Sequence, residues 1–218
     1  TVDDDRVYLL YPTRVEVYDL EGGWIRDWEA CSEESDYCSL TVLSGNVFVT
    51  DAANKNICMY TIEGGFVKFI QSPSAFGITN IDGVVYCSNP GRHLVESYSP
   101  EGEYISSFGK PGGAAGLFSG CCNPVYLAGT PTGEIITSEK GIPRISCYGK
   151  NGEFHSVLLD EKALGGGHAA YEVRVWDDKL VVAGKDALSI FQYDKKLAVQ
   201  TACSTCGIDC PLKIGVTI

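Results

Sequence analysis

Ten cysteines in 218 residues are the side chains of this sequence with the most chemical potential. Three of them lie near its end, as Cys203-Ser-Thr-Cys206 followed by Cys210-Pro211. Thiols bind soft metals as thiolates, or pair as disulfides in an oxidising compartment. The sequence therefore predicts either a metal centre or a disulfide framework, and the spacing leaves both open.

The terminal cysteines partly match an iron–sulfur motif. Bacterial ferredoxins use C-x₂-C-x₂-C-x₃-C-P, and its last part is matched by Cys203, Cys206, Cys210 and Pro211. Gln200 stands where the first cysteine would be, so a [4Fe–4S] cluster needs a remote fourth ligand. The candidates for that ligand are Cys87, Cys121 and Cys122.

A repeat predicts the elements that position these thiols. An apolar strand ending in tyrosine recurs at spacings of 42, 38, 50 and 45 residues, and a Gly-containing turn follows the first four copies. A period of this size is typical of a β-propeller with one four-stranded blade per repeat. No stretch has a sustained helical period, so helix is expected to be nearly absent. The repeated tyrosines are Tyr18, Tyr60, Tyr98, Tyr148 and Tyr193.

We therefore predict an all-β fold and one domain, residues 1–218. Five blades fit the repeats, and six blades are the competing count. The first repeat starts at its second strand, 7–11, and the chain ends with an apolar stretch, 212–218. We expect that C-terminal strand to complete the first blade and close the ring, which removes an exposed sheet edge.

The pattern resembles the NHL-repeat family of propellers over nearly the whole chain. The best match begins at Phe108-Gly-Lys-Pro, includes Asn123-Pro124 and continues to Gly152-Glu-Phe154. Gly91-Arg-His-Leu94 is nearest to the Asn-His-Leu signature. The segment Phe118-Ser-Gly-Cys-Cys-Asn-Pro124 is similar to a variant found in secreted bacterial proteins of this kind. The resemblance implies the propeller fold, but it says little about activity, since propellers serve as binding scaffolds and as enzymes.

The propeller places most of the thiols on one face. Loops that join one blade to the next lie on the same face as the turns between the second and third strands of each blade. Cys58 and Cys147 fall inside strands and are expected to pack as small apolar groups. The eight cysteines expected at this face are Cys31, Cys38, Cys87, Cys121, Cys122, Cys203, Cys206 and Cys210.

Two function classes follow from this arrangement. The first is a non-enzymatic redox scaffold that holds one or two iron–sulfur clusters and passes electrons to a docked partner, such as a cytochrome or an oxidoreductase subunit. The second is a disulfide-stapled propeller that recognises protein or glycan. In the first class all eight cysteines bind the cofactor, and the predicted metal ligands are Cys203, Cys206, Cys210, Cys121, Cys122 and Cys87.

Charge and hydropathy limit the partners. A formal charge of −11 argues against a nucleic-acid partner and fits a protein with a basic patch. No run of eighteen apolar residues predicts a membrane span. The sequence begins Thr1-Val-Asp without a signal peptide, which we interpret as a mature extracytoplasmic chain after removal of a targeting segment. The sequence does not suggest an active site, because we could not combine its histidines, acidic residues and possible metal ligands into one convergent set.

Overall fold

The computed structural model describes residues 1–184 and 187–193, together with the backbone of residues 216–217. Every regular element among these residues is a β-strand, so this part of the chain contains no helix that could cross a membrane. The predicted all-β class is confirmed.

The strands form five antiparallel four-stranded sheets, each composed of strands consecutive in the chain. The first sheet contains β1 (Val2–Asp3), β2 (Arg6–Tyr11), β3 (Arg14–Asp19) and β4 (Trp24–Glu29). The second contains β5 (Tyr37–Leu43), β6 (Asn46–Asp51), β7 (Asn56–Thr61) and β8 (Phe66–Gln71). The third contains β9 (Ile78–Ile81), β10 (Val84–Asn89), β11 (Leu94–Tyr98) and β12 (Tyr104–Phe108).

The fourth sheet contains β13 (Tyr126–Gly129), β14 (Glu134–Glu139), β15 (Arg144–Gly149) and β16 (Phe154–Leu159). The fifth contains β17 (Glu172–Trp176), β18 (Lys179–Ala183), β19 (Leu188–Gln192) and β20 (Val216–Thr217). The first strands of neighbouring sheets, β5, β9, β13 and β17, contact one another in that order. The sheets are therefore the blades of a five-bladed β-propeller, and the predicted blade count is confirmed.

The ends of the chain pair differently from the expectation. β1 supplies the innermost strand of the first sheet, where Val2 lies opposite Val7. Val216 and Thr217 lie opposite Ile190 and Ser189 of β19, so β20 is the outer strand of the fifth sheet. Residues 216–217 therefore extend the fifth blade and do not complete the first, which corrects the expected pairing for these two residues; the rest of 212–218 lies outside the described residues. A two-residue strand such as β1 is too short for the alternation by which strands are recognised in a sequence.

Four buried apolar clusters join neighbouring sheets, and four of the five repeated tyrosines belong to them. Tyr60, Tyr98, Tyr148 and Tyr193 are each at most 2% exposed. One cluster lies between the first and second sheets, and the others follow in order to the fourth and fifth. In the second to fifth repeats the tyrosine thus marks a position that packs one blade against the next, whereas Tyr18 of the first repeat is only half-buried.

The turns between the third and fourth strands repeat in detail. Each is closed by the same pair of backbone hydrogen bonds, such as Gly152 N–H to the Gly149 carbonyl at 2.8 Å. The glycine has φ between 80° and 85° in all four copies, a region that side-chain-bearing residues rarely adopt. At Gly152 an added Cβ would also lie 2.3 Å from Cβ of Phe108. The repeated glycines are Gly22, Gly64, Gly102 and Gly152.

Candidate functional site

One face of the propeller carries Cys31, Cys121 and Cys122 on its loops, and we call it the cysteine face. It is formed by the connections between blades, 30–36, 72–77 and 109–125, and by the turns 52–55, 90–93 and 140–143. The thiols on it do not form one group. Cys31 and Cys38 lie at the second blade, whereas Cys121 and Cys122 lie in the connection to the fourth.

The first thiol pair joins a loop to a strand. Cys31, in the connection 30–36, has its Sγ 3.0 Å from Sγ of Cys58, the third residue of β7. Cys58 is fully buried and Cys31 is half-buried. Burial, and then hydrogen bonding to Cys31, raise the pKa of the Cys58 thiol. Because the thiolate is disfavoured, the uncharged forms, a thiol or a disulfide, are preferred at this site.

Polar groups from both segments surround this pair. The Tyr37 hydroxyl donates to Cys31 Sγ at 3.7 Å and shares a short hydrogen bond with the Tyr60 hydroxyl. Asn54 Nδ2 donates to Ser35 Oγ at 3.2 Å. The connection 30–36 is therefore held against the second blade independently of any bond between the two sulfurs.

Cys31, Cys58 and Asp51 are a possible metal-ligand set, because one donor atom of each lies within 4.8 Å of the others. The Asp51 carboxylate already accepts hydrogen bonds from the backbone N–H groups of Asp36 and Asn54, both at 3.1 Å, and from Asn54 Nδ2 at 2.8 Å. It is thus committed to fixing the turn. Two thiols with an occupied carboxylate fit a disulfide better than a four-ligand metal centre.

The second thiol pair is vicinal. The Sγ atoms of Cys121 and Cys122 are 3.2 Å apart; Cys121 is exposed and Cys122 is half-buried. The hydrogen bond to Cys121, and then burial, raise the pKa of the Cys122 thiol, while the Lys140 ammonium acts in the opposite direction. The thiol of Cys122 and the charge of Lys140 therefore share one local environment.

A buried ion pair fixes the connection that carries these two thiols. Arg144, at the start of β15, donates from Nε to Oε1 of Glu139 at 2.7 Å and from Nη2 to Oε2 at 2.9 Å. The same guanidinium donates to the carbonyls of Gly113, at 3.2 Å, and Leu117. Glu139 also accepts from the backbone N–H of Ser119 at 3.3 Å. Strand ends of the fourth blade thus determine the path of the connection.

The other cysteines predicted to bind a cofactor are less accessible to a metal ion or lie outside the described residues. Cys87 is fully buried in the cluster between the second and third sheets, and its thiol donates to the Ser88 carbonyl at 3.4 Å. Burial, and then the nearby Asp36, raise the pKa of Cys38 to about 11. Cys203, Cys206 and Cys210 lie outside the described residues. The described thiols therefore lie in two pairs with Cys38, Cys87 and the strand residue Cys147 apart from them.

Sequence reasoning did not identify the contact between Cys31 and Cys58. Cys58 was expected only to pack, and its burial fits that role. The contact depends on how the connection 30–36 folds back over β7, and a loop has no periodicity that reveals such a return. The one signal available was the position of Cys58 close to the start of its strand, at the edge of the cysteine face.

Comparisons with known proteins were made at the levels of sequence and structure. No protein-family model and no curated protein matches the sequence. The structure is similar to that of virginiamycin B lyase from Staphylococcus aureus, with a TM-score of 0.66 and 15% identity, covering 88% of this chain and 65% of the lyase.

Two further structures are similar at low identity. Hydrazine synthase of Kuenenia stuttgartiensis gives a TM-score of 0.62 at 10% identity, over 88% of this chain and 61% of that one. A chain of the nidogen/laminin complex gives 0.59 at 12% identity, over 86% and 89%. This chain spans less than two thirds of the lyase and synthase chains. At such identities the similarity shows the fold alone, which is a five-bladed β-propeller.

Proposed function

We propose that this chain is a non-enzymatic binding propeller that acts outside the cytoplasm and presents its cysteine face to a protein partner. The observation that carries the proposal is the distance of 3.0 Å between the sulfurs of Cys31 and Cys58. Two thiols so close need little movement to form a disulfide in an oxidising compartment. A disulfide there would fasten the connection 30–36 to β7 and so keep the face in one shape.

The chemistry of this staple is simple. The two thiols lose two protons and two electrons, and a small-molecule disulfide or a disulfide-donating oxidoreductase is reduced to thiols in exchange. The raised pKa of Cys58 slows the attack of this thiol, so oxidation would begin at the more exposed Cys31. A protein partner is supported by the nidogen/laminin complex, where a propeller of similar fold occurs in a protein assembly.

An iron–sulfur scaffold is the second candidate, supported by the adjacent thiols of Cys121 and Cys122 on an exposed connection. With Cys203, Cys206 and Cys210 they would supply ligands for a [4Fe–4S] cluster. Such a protein would transfer electrons to a cytochrome or an oxidoreductase subunit docked on its acidic surface. Cys87 fits this role poorly because its sulfur is buried in the core. We infer NHL-type repeats in either case, from the segment 108–124.

One preparation of the natural protein tests both candidates. We expect no iron or acid-labile sulfide in anaerobically purified protein, and a cross-linked peptide joining Cys31 to Cys58 in protein isolated without reductant. Iron and sulfide in equal amounts, with the broad visible absorbance of a cluster, would support the scaffold instead. A free Cys31 thiol in the oxidised protein would refute the staple.

Stability measurements give an independent test of the staple. The bond would close a loop between residues 27 apart, so Cys31→Ser should lower the free energy of unfolding of the oxidised protein by about 3–4 kcal/mol. The matched control is Cys38→Ser, since Cys38 has no thiol partner among the described residues. In reductant the difference between wild type and Cys31→Ser should largely disappear; a loss of equal size there would mean that the thiol only packs.

A further inference from the structure

A cleft of about 410 Å³ opens on the cysteine face across the second, third and fourth blades. Its lining includes the apolar residues Pro73, Phe76 and Pro90 and two basic residues, Lys55 and Lys140. No acidic side chain lines it. The cleft thus combines an apolar wall with positive charge, which are the two elements of a site for a small amphipathic anion.

The charge of this cleft contrasts with that of the whole chain. The sequence has 28 acidic and 17 basic residues and is therefore negatively charged, whereas the lining of the cleft contains two lysines and no acidic residue. Neither Lys55 nor Lys140 has an ion-pair partner in the part of the chain that the structure describes. Both ammonium groups therefore remain available to an anion, and a partly desolvated site strengthens such an attraction.

One side of the cleft is held rigidly. Asn123 is 1% exposed, and its Nδ2 donates to the carbonyls of Lys140 at 2.7 Å and Ser119 at 2.6 Å. Its Oδ1 accepts from the backbone N–H of Lys140 at 2.9 Å. Asn123 directly follows Cys122, which also lines the cleft. The backbone segments that carry Cys122 and Lys140 are thus held together before any ligand arrives, which reduces the ordering cost of binding.

We propose that this cleft binds a small organic anion, a carboxylate or sulfonate attached to an apolar body. The anionic group lies between Lys55 and Lys140, the apolar body packs on Phe76 and Pro90, and Cys122 forms the adjoining wall. The site does not require a bond between Cys31 and Cys58. Its failure in a test would therefore leave the proposed staple unaffected, and the reverse also holds.

The first test uses 1-anilinonaphthalene-8-sulfonate, a fluorescent anion with an apolar body, in a titration of the natural chain. We expect one saturable site, and Lys55→Gln or Lys140→Gln should each weaken binding about fivefold, as loss of one partly screened charge pair would. The control is Lys162→Gln, an exposed lysine that does not line the cleft. Unchanged affinity in both cleft variants would overturn the proposal, as would equally tight binding of the uncharged N-phenyl-1-naphthylamine.

The second test locates the bound probe, and the chain supplies its own control. In reduced protein, alkylation by N-ethylmaleimide is followed separately at Cys122 in Cys121→Ser and at Cys121 in Cys122→Ser. Saturating probe should slow the reaction of Cys122, which lines the cleft, and leave that of the exposed Cys121 unchanged. If the probe protects neither thiol, or protects both equally, its site lies elsewhere and the assignment is wrong.

Discussion

At the scale of residues, the cysteine face is maintained by polar side chains that bond to backbone. Asp51 is fully buried at the end of β6 and accepts from N–H groups on the turn and on the connection 30–36. Glu139 has the equivalent position at the end of β14 and accepts from Ser119. The acid at this position in the repeat therefore joins a blade to the incoming connection, which is a structural role.

Asp51 predicts a dependence of stability on pH. Burial opposes ionisation, but hydrogen bonds from Asn54, Ser35 and the Asp36 N–H outweigh it and hold the pKa of Asp51 below its ordinary value of 3.8. Because the folded-state pKa is the lower one, its stabilisation is complete above the unfolded-state pKa and is lost as pH falls through the folded-state pKa.

The measurement is the free energy of unfolding in urea between neutral and acid pH. Asp51→Asn should destabilise the protein by about 1–3 kcal/mol at neutral pH, since one hydrogen-bond acceptor becomes a donor opposite Asn54. The difference from wild type should then narrow as the solution is acidified. Parallel curves for the two proteins would show that Asp51 does not contribute to the pH dependence.

At the scale of elements, the connection 109–125 is supported by the fourth blade that follows it. Arg144 and Glu139 are 6% and 0% exposed and form a bidentate pair, so each compensates the buried charge of the other. The two residues lie opposite each other in the register of β14 and β15. The pair thereby links two strands and three backbone groups of the connection.

Breaking this pair should be costly. Arg144→Met leaves the Glu139 carboxylate buried without its cation, so we expect a loss of about 3–5 kcal/mol in the free energy of unfolding. The double variant Arg144→Met with Glu139→Gln removes both charges and should recover part of that loss. Urea unfolding of both variants measures this; a double variant less stable than the single one would contradict a charge-compensation role.

Elements with a repeated signal could be predicted from the sequence, and those without one could not. The tyrosine period and the glycine turns predict the five sheets, because burial between blades constrains four of the tyrosines and positive φ constrains the four turn glycines. β1 has two residues and the pairing of 216–217 depends on β19, so no local pattern indicates either. The cleft likewise depends on three blades meeting, which a linear motif does not encode.

At the scale of the whole molecule, the ring is not uniform. Buried apolar clusters join each blade to the next from the first to the fifth. Among the described residues no such cluster joins the fifth blade to the first. Val2 and Trp176, which lie in the first strands of these two blades, are 64% and 68% exposed. From the described residues we therefore expect stability to be lowest where the fifth blade meets the first.

Hydrogen exchange tests this difference between the junctions. Backbone amides paired within β17 and β18 should exchange faster than those of β10 and β14, because the described residues form no buried apolar cluster between the fifth and first blades. Mass spectrometry of peptides from each blade under native conditions measures the rates. Uniform protection around the ring would show that the junction is as stable as the other four.

The position of the lysine-lined cleft determines whether ligand binding is coupled to opening of the ring. In a ring of five, the third blade lies opposite the junction of the fifth and first, and the cleft extends across the second, third and fourth blades. If the ring opens at that junction, the second, third and fourth blades on the far side keep their relative positions. Ligand occupancy and ring opening would then be uncoupled equilibria, so that a bound anion would leave the exchange of β17 unaltered.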